Sequence, residues 1–366
     1  MHRVFTFSIA TAFLLFACSS FSPKETPPTG TIIAPATSMP ATQHPTSVPV
    51  TQPSVVQPNL QTEWLSQLEI IKPQNWARLQ LLKTFPAEMP MKQSVVAITP
   101  DGKTMVVGSS TGAKLFFFDL ESGKLSRSLV INGVQNADSP FETIEYLSDG
   151  TIMANSGGPY AIYHIDITGN VLFAWDLIYF AVSADEKILA LDANEGTSLV
   201  NIANNTPIAL LKNSNGSGFS FSPDNSKIAI DAVSVDSANV DIWDIKSQAI
   251  LKTLPNMYRA SYSPNGKFLA MLDGVDGSLK AFSPDGAVQI TTILDAHSDY
   301  LISPDGSILA YQTAKNSSVA RDTTNWKPFE TALRGGLYSF SPDGRILITR
   351  TDDGGILIWG VLKADG

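Results

Sequence analysis

A serine nucleophile is the first reactive group that the residue spacing suggests. Residues 108–112 read G-S-S-T-G and match the G-x-S-x-G pattern that presents a catalytic serine in α/β-hydrolases. That pattern forms a nucleophile elbow only where a strand precedes it and a helix follows it. Here strand-like segments, 103–108 and 114–119, lie on both sides. The pattern is therefore interpreted as a link between two strands, and no catalytic residue is predicted.

The histidines and the acidic segments do not have the spacing of a metal site. Outside the N-terminal segment only His164 and His297 occur, and neither has a Cys or a His-x-x-His partner nearby. Both are interpreted as structural, with a pH-responsive or ligand-binding role as the alternative for His297. Segments 273–277 and 352–355 lack the spaced oxygen ligands of a calcium loop, and tight turns also require Asp and Gly. No metal is predicted and, without a phosphate-binding glycine loop, no cofactor.

Charge and composition exclude a further group of functions. The formal net charge is −9 and no Lys/Arg cluster occurs, so the positive surface that neutralises nucleic-acid phosphates is missing. Hydrophobic residues make up 43% of the chain, whereas charged residues make up 16%, below the roughly 25% of an average soluble domain. With 25 Gly and 23 Pro, this composition favours many short strands joined by turns.

The first 17 residues have the composition of an export signal. Val4–Phe16 carries no charge and is too short for a bilayer core, which needs about 20 helical residues. Leu15-Phe16-Ala17-Cys18 resembles the lipobox of bacterial lipoproteins. The resemblance implies a signal peptide over residues 1–17 and a lipid on Cys18 that anchors the protein to a membrane of the bacterial cell envelope, facing outside the cytoplasm. The alternatives are an ordinary secretory signal or an uncleaved anchor in which Cys18 has no role.

Residues 18–61 are predicted to be a tether. Pro recurs every few residues between Ser and Thr, and Lys24 and Glu25 are the only charged residues. Because Pro fixes φ and removes backbone donors, neither a helix nor a sheet can propagate here. An extended, polyproline-like chain at about 3.1 Å per residue would hold a domain on the order of 100 Å from the membrane.

A Ser-Pro-Asp-Gly turn recurs through the rest of the chain and predicts a repeat. The third residues of seven such turns are 36 to 48 residues apart, close to the roughly 40–45 residues of a four-stranded propeller blade. Pro presets φ, Asp caps the local backbone and Gly accepts a positive φ, while Val/Ile/Leu-rich runs typical of buried strands follow. An additional SPDG, at 283–286, is interpreted as a turn after a third strand. The seven turns are TPDG (99–102), LSDG (147–150), SADE (183–186), SPDN (222–225), SPNG (263–266), SPDG (303–306) and SPDG (341–344).

A second segment recurs sixteen to twenty residues after the turns, and VDIWDIKSQ (240–248) is its clearest instance. Together with the period, it resembles WD40 repeats over about 280 residues. The resemblance implies an all-β, seven-bladed β-propeller in which Trp243 and Asp244 are a structural pair. No Gly-His dipeptide occurs, so the blades are expected to be held mainly by apolar packing.

The two ends of the propeller are predicted to meet in its last blade. The last repeat ends with its third strand, GILIWGV (355–361), whereas Leu79–Phe85 has no blade of its own. Leu79–Phe85 is therefore expected to supply the outer strand of the last blade and to cover strand edges. The domain spans residues 62–366, with an entry segment at 62–78 in which Glu63–Ile70 is predicted to form a short amphipathic helix.

The loops at one end of the propeller are the predicted binding region. The first repeat is the longest, and its additional residues fall in segment 131–140. Loops on a rigid scaffold concentrate binding residues, which makes Asn132, Gln135, Asn136 and Asp138 the candidate partner-binding residues.

Three functions are compatible with these features. The favoured one is a non-catalytic, membrane-tethered scaffold outside the cytoplasm that binds a protein or an envelope polymer. The first alternative is an extracytoplasmic propeller hydrolase or lyase with a site in the central channel, which requires His and carboxylate groups that converge from several blades. The second is a structural sensor module of a separate membrane complex.

Overall fold

The computed structural model describes residues 63–86, 95–109, 112–134, 140–157, 160–214, 216–233, 238–313 and 317–364. Within these ranges the protein is almost entirely β, and its strands form seven small antiparallel sheets arranged as a ring of blades. The first strands of neighbouring blades contact one another and therefore line the central channel, whereas fourth strands are largely exposed. The predicted seven-bladed β-propeller is confirmed.

The strands follow one another along the chain, and two of them precede the first blade. These two are β1 (Leu68–Glu69) and β2 (Gln80–Phe85). Blade 1 contains β3 (Val96–Ile98), β4 (Thr104–Gly108), β5 (Lys114–Asp119) and β6 (Leu125–Val130), and blade 2 contains β7 (Phe141–Tyr146), β8 (Ile152–Gly157), β9 (Tyr160–Ile165) and β10 (Val171–Trp175). Blade 3 contains β11 (Phe180–Val182), β12 (Ile188–Ala193), β13 (Gly196–Asn201) and β14 (Pro207–Lys212), and blade 4 contains β15 (Phe219–Phe221), β16 (Lys227–Val233), β17 (Ala238–Asp244) and β18 (Ala249–Pro255). Blade 5 contains β19 (Met257–Tyr262), β20 (Leu269–Asp273), β21 (Leu279–Phe282) and β22 (Gln289–Ile293). Blade 6 contains β23 (Ala296–Ile302), β24 (Ile308–Thr313) and β25 (Ser318–Asp322), and blade 7 contains β26 (Gly336–Phe340), β27 (Ile346–Arg350) and β28 (Ile356–Leu362).

The recurring turns join the first and second strands of each blade, as their spacing predicts. In blade 4 the Ser222 hydroxyl donates to Asp224 Oδ1 at 2.6 Å and accepts a hydrogen bond from the Lys227 amide at 2.9 Å. Gly344, the fourth residue of the last turn, has φ +72°. The turn at 283–286 joins the third and fourth strands of blade 5, which confirms its interpretation. The Ser–Asp pair thus satisfies polar groups of the turn in blade 4, whereas the Ser148 amide of blade 2 donates to Glu186 of the next turn at 2.8 Å.

The core lies between neighbouring blades. Between blades 1 and 2, the buried side chains of Val106 and Leu115 pack with those of Ile144 and Ile152. Full burial of one such side chain stabilises the fold by roughly 1.5–3 kcal/mol. The second strands contain short, fully buried apolar runs, such as Met105–Val107 in β4 and Leu269–Leu272 in β20.

The N-terminal strand closes the ring. β2 pairs antiparallel with β28 from Gln80 opposite Gly360 to Phe85 opposite Ile356, and β28 in turn pairs with β27. This confirms that the outer strand of the last blade comes from the N-terminal side. The ring is also held from blade 1, whose Glu121 carbonyl accepts a hydrogen bond from Lys83 Nζ at 2.6 Å.

The entry segment differs from its prediction. The expected helix over Glu63–Ile70 is a single 3₁₀ turn, Trp64–Gln67, followed by β1, which pairs with the end of β28. A second 3₁₀ turn, Pro73–Arg78, places the buried ring of Trp76 against Phe329, 5.0 Å between centroids. Tertiary contacts therefore override the amphipathic pattern of this short segment.

Blade 6 has three strands in the described ranges, not four. The segment after β25 contains Trp326 with φ +60° and Pro328, which has no backbone N–H to donate. It makes only isolated bridges to β25, at Ser318 and Arg321.

Among the described residues, no helix has the length and apolar character needed to cross a membrane.

Candidate binding face

The loop face is defined here as the end of the ring that carries two kinds of link. One kind joins second to third strands, and the other runs from the outermost strand of a blade to the next blade. Residues 131–140 join β6 to β7, whereas only Asn256 joins β18 to β19, and only Leu294 and Asp295 join β22 to β23. Among the links from an outermost strand to the next blade, the two shortest therefore lead into blades 5 and 6.

The predicted partner-binding residues are only partly described. The backbone amide of Asn132 donates to the Gly169 carbonyl at 2.9 Å, and Asn132 forms a bridge with Asn170. Asn132 is thus tied to the turn between the third and fourth strands of blade 2. Gln135, Asn136 and Asp138 lie outside the described residues, as does Cys18.

His164 has a structural environment. Its ring is buried, and Nε2 lies 2.9 Å from Thr151 Oγ1, which itself donates to Asp149 Oδ1 at 2.7 Å. Because the Thr151 proton points to Asp149, the His164 Nε2–H is the donor to Thr151. Burial lowers the pKa of His164, although the nearby Asp149 carboxylate opposes this shift. His164 is therefore a neutral side chain that stabilises a turn of blade 2.

Of the remaining sequence candidates, Trp243 and Asp244 lie in structural positions. Gly108 ends β4 and β5 begins at Lys114, so the G-x-S-x-G pattern is followed by a strand; its serine, Ser110, lies outside the described residues. Trp243 is buried, while the Asp244 carboxylate accepts hydrogen bonds from the Ser247 amide and hydroxyl at 2.7 and 2.6 Å. These contacts hold a turn of blade 4.

The most unusual backbone on the loop face is a β-bulge in β19. The register between β19 and β20 shifts between Tyr258 and Ser261, and Arg259 has φ +56°. Few residues other than glycine adopt this left-handed region, and strained positions persist only where neighbours hold them. Bulges commonly re-aim a side chain next to a functional site. Arg259 is therefore a conformationally constrained residue at the channel mouth.

Neighbouring blades hold this bulge from both sides. From blade 4, Asp231 accepts the amide protons of Arg259 and Ala260 at 2.7 and 3.0 Å. From blade 6, the Tyr300 hydroxyl donates to the Arg259 carbonyl and lies 2.9 Å from the Ala270 carbonyl. We call Asp231, Arg259, Asp299 and Tyr300 the inner-wall cluster.

The inner-wall cluster also contains an ion pair between blades 5 and 6. Arg259 Nη2 lies 2.6 Å from Asp299 Oδ1. Burial raises the pKa of Asp231 to about 7, although the Ala260 and Arg259 amides and the Arg259 guanidinium act in the opposite direction. The cluster thus fixes the relative position of three blades and keeps one titratable carboxyl group beneath the channel mouth.

The missing side chain of Gly218 makes room for Asp231. A Cβ atom at Gly218 would lie 2.7 Å from Asp231 Oδ2. Gly218→Ala is therefore expected to displace the carboxylate from the bulge and to lower the free energy of unfolding by about 1–3 kcal/mol. Gly336→Ala is the matched control, because its Cβ would meet no atom closer than 3.8 Å. Equal stability of the two variants in urea unfolding would contradict the packing of Asp231 against Gly218.

Two exposed aliphatic side chains lie on the loop face, in links that begin in blade 5. Val275, between β20 and β21, is 76% exposed, and Leu294, directly after β22, is 79% exposed. These are the highest exposures of large hydrophobic side chains in the described part of the chain. Leu279 pairs with Ile293, which places Val275 and Leu294 at the same end of blade 5. We call Val275 and Leu294 the apolar pair.

One sequence signal could have indicated part of this arrangement. The second strands of blades 3, 4 and 5 each carry an aspartate within their last three residues, namely Asp192, Asp231 and Asp273. Asp192 Oδ1 accepts the Ile178 and Tyr179 amides at 3.1 and 2.9 Å, and Asp273 pairs with Lys280. An acidic residue near the end of an apolar strand thus predicts a backbone contact on the loop face.

Comparison with known proteins establishes the fold alone. No protein-family model matches the chain, and no curated protein matches it. Many solved structures do match. One of them, hydrazine synthase from Kuenenia stuttgartiensis, is 14% identical with a TM-score of 0.57, and the match covers 74% of this chain and 96% of that chain. At this identity the similarity concerns the propeller architecture, not the reaction.

Proposed function

We propose that the protein is a non-catalytic binding platform that captures a protein or an envelope polymer through its loop face. The observation that carries the proposal is the position of the apolar pair on the same face as the inner-wall cluster. Exposed large apolar side chains on a rigid surface gain free energy when a partner covers them. Because the bulge is held from both sides, little conformational entropy is lost when a partner binds.

A hydrolase or lyase with a channel site is the competing proposal, and Asp231 is its best candidate group. A carboxyl group with a pKa of about 7 suits general acid–base catalysis. However, each Asp231 oxygen already accepts a backbone amide proton of blade 5. This geometry supports a structural role, and the name of the hydrazine synthase describes the activity of that protein only.

We also propose that the propeller is of the WD40 type and is anchored outside the cytoplasm by a lipid on Cys18. The Trp243–Asp244 pair supports the first part, as does a bond in blade 7. There, Trp359 Nε1 donates to Thr349 Oγ1 at 2.8 Å, a link between the second and third strands. The lipobox-like sequence before Cys18 supports the second part.

Blocking one face at a time tests the platform. In a Cys18→Ser background, Asn194→Cys and Lys187→Cys place single thiols at exposed positions on opposite ends of blade 3. Each variant is coupled to polyethylene glycol maleimide and used to capture partners from envelope extract. Coupling at residue 194 is expected to reduce capture about tenfold, whereas coupling at residue 187 leaves it unchanged. Equal capture by the two conjugates would overturn the assignment of the loop face.

Metabolic labelling with a radioactive fatty acid tests the anchor. The full chain is expected to incorporate label and to sediment with membranes, whereas Cys18→Ala is expected to lose both properties, because Cys18 is the only thiol of the chain. Label that persists in Cys18→Ala would contradict lipidation at this residue.

A further inference from the structure

We propose that the loop face of blades 5 and 6 docks a basic, amphipathic segment of a partner protein, with the apolar pair as its anchor. The proposal rests on the proposed function and adds the chemistry of the partner. It depends on two aliphatic side chains carried by ordered backbone, on the arrangement of the ion pairs of this surface, and on the net charge of the chain itself.

The turn that carries Val275 is fixed by its own hydrogen bonds. The Val275 amide donates to Asp273 Oδ1 at 2.7 Å, and the Gly277 amide donates to the Asp273 carbonyl at 2.9 Å. Asp273 is in turn buried and paired with Lys280. Leu294 occupies the two-residue link between β22 and β23, each of which is paired within its own blade. A partner would therefore meet two aliphatic side chains on backbone that is already ordered.

The ion pairs on this surface present their negative ends. In the pair between blades 5 and 6, the Asp299 side chain is 43% exposed and that of Arg259 is 25% exposed. In blade 6, the Asp295 side chain is 57% exposed, whereas that of Arg321 is 21% exposed. Asp276, next to Val275, is also exposed. In both pairs the cation is less exposed than the carboxylate, so the exposed carboxylates of Asp276, Asp295 and Asp299 favour a positively charged partner.

The same charges argue against the other occupants. A second copy of the chain carries a net charge of −9 and would be repelled at low ionic strength. The chain's own segment 19–60 has one Lys and one Glu, so it lacks the cations that the surface favours. A partner segment with Lys or Arg on one face and aliphatic residues on the other satisfies both halves of the surface.

Binding of defined peptides to the full chain tests the proposal. The probes are fluorescein-labelled peptides of about 18 residues, roughly five helical turns. One contains Leu and Lys in amphipathic order, the second has Glu in place of Lys, and the third has Ser in place of Leu. Fluorescence anisotropy is expected to show at least about tenfold tighter binding of the Leu/Lys peptide than of either other peptide, with an affinity that falls as salt is raised.

Two double variants locate the site. Val275→Ser with Leu294→Ser is expected to weaken the Leu/Lys peptide about tenfold. Val288→Ser with Ile290→Ser is the matched control, because these residues are 62% and 44% exposed and lie directly before and on the outer strand of the same blade. The control is expected to bind like the unchanged chain. Equal binding of both double variants, or equal binding of the Leu/Glu peptide, would overturn the proposal.

The outcome is distinguishable from failure of the platform itself. If the peptide does not bind, but coupling at residue 194 still blocks capture, the loop face is a binding surface for a partner of different chemistry. If neither the peptide nor the envelope partners depend on this face, both proposals are wrong.

Discussion

Replacing Phe85 with alanine is expected to lower the free energy of unfolding by about 3–5 kcal/mol, the usual cost of truncating a buried Phe. Phe85 is 5% exposed and packs among side chains of blades 7 and 1. Its ring meets Phe118 of blade 1 edge-on at 6.1 Å between centroids, and its backbone pairs with Ile356 of blade 7. The substitution therefore leaves a cavity at the junction where the ring closes.

Urea unfolding of the full chain measures this effect. Thr84→Ala is the matched control, because Thr84 is the preceding residue of β2 and its side chain is exposed. Its expected cost is within about 1 kcal/mol. If Phe85→Ala costs no more than Thr84→Ala, then β2 is not part of the cooperative fold and the closure described above is wrong.

Asp231→Asn is expected to remove a pH dependence of stability between about pH 4 and pH 7. The folded pKa of Asp231, about 7, lies above the ordinary aspartate value of 3.8. A carboxyl group with a raised folded pKa stabilises the fold fully below its unfolded pKa, and this contribution is lost as pH rises through the folded pKa. The difference in unfolding free energy, unchanged chain minus Asp231→Asn, should therefore fall by at most about 4 kcal/mol across this range.

Asp224→Asn provides a control of opposite sign. The hydroxyl of Ser222 is the main cause that lowers the pKa of Asp224 to about 2. Its contribution to stability is present above the unfolded pKa and is lost as pH falls through the folded value. The difference between the unchanged chain and Asp224→Asn should thus be flat from pH 5 to pH 7, within about half a kcal/mol. A flat difference for Asp231→Asn as well would show that Asp231 is solvated.

The parts of the fold that could be predicted depend on local sequence. The Ser–Asp contacts of the turns join residues that are close in sequence, so each turn could be located from its local sequence. Trp243–Asp244 indicates the position of a third strand in the same way. The closing strand could be predicted by counting, because Leu79–Phe85 had no partner and the last blade lacked an outer strand. Blade 6 was counted correctly as a blade, but its three strands differ from the four that the period implied, since Pro328 has no backbone N–H for regular pairing.

The candidate binding face could be predicted only as a region. Asp231, Arg259 and Tyr300 come from three blades, and the bulge that joins them requires the tertiary contacts of all three. No local sequence pattern predicts that an Arg residue will adopt the left-handed backbone conformation with a positive φ. The exposure of Val275 and Leu294 is equally invisible in the sequence, because Val and Leu also fill the buried strands beside them. Loop length drew attention to segment 131–140, whereas the most exposed large aliphatic side chains of the described residues lie on short links.

The pairing of β2 with β28 also sets the order in which the propeller is completed. Residues 80–85 are made early, but their partner residues 356–360 lie near the end of the chain. Contacts this distant in sequence form slowly, because the entropy of closing the loop is lost before the pairing compensates for it. The earlier blades can assemble from local hairpins while β2 still lacks its partner strand, β28. A chain that is still being made therefore carries an unpaired β edge, the element most prone to misassociation, until its last strand becomes available.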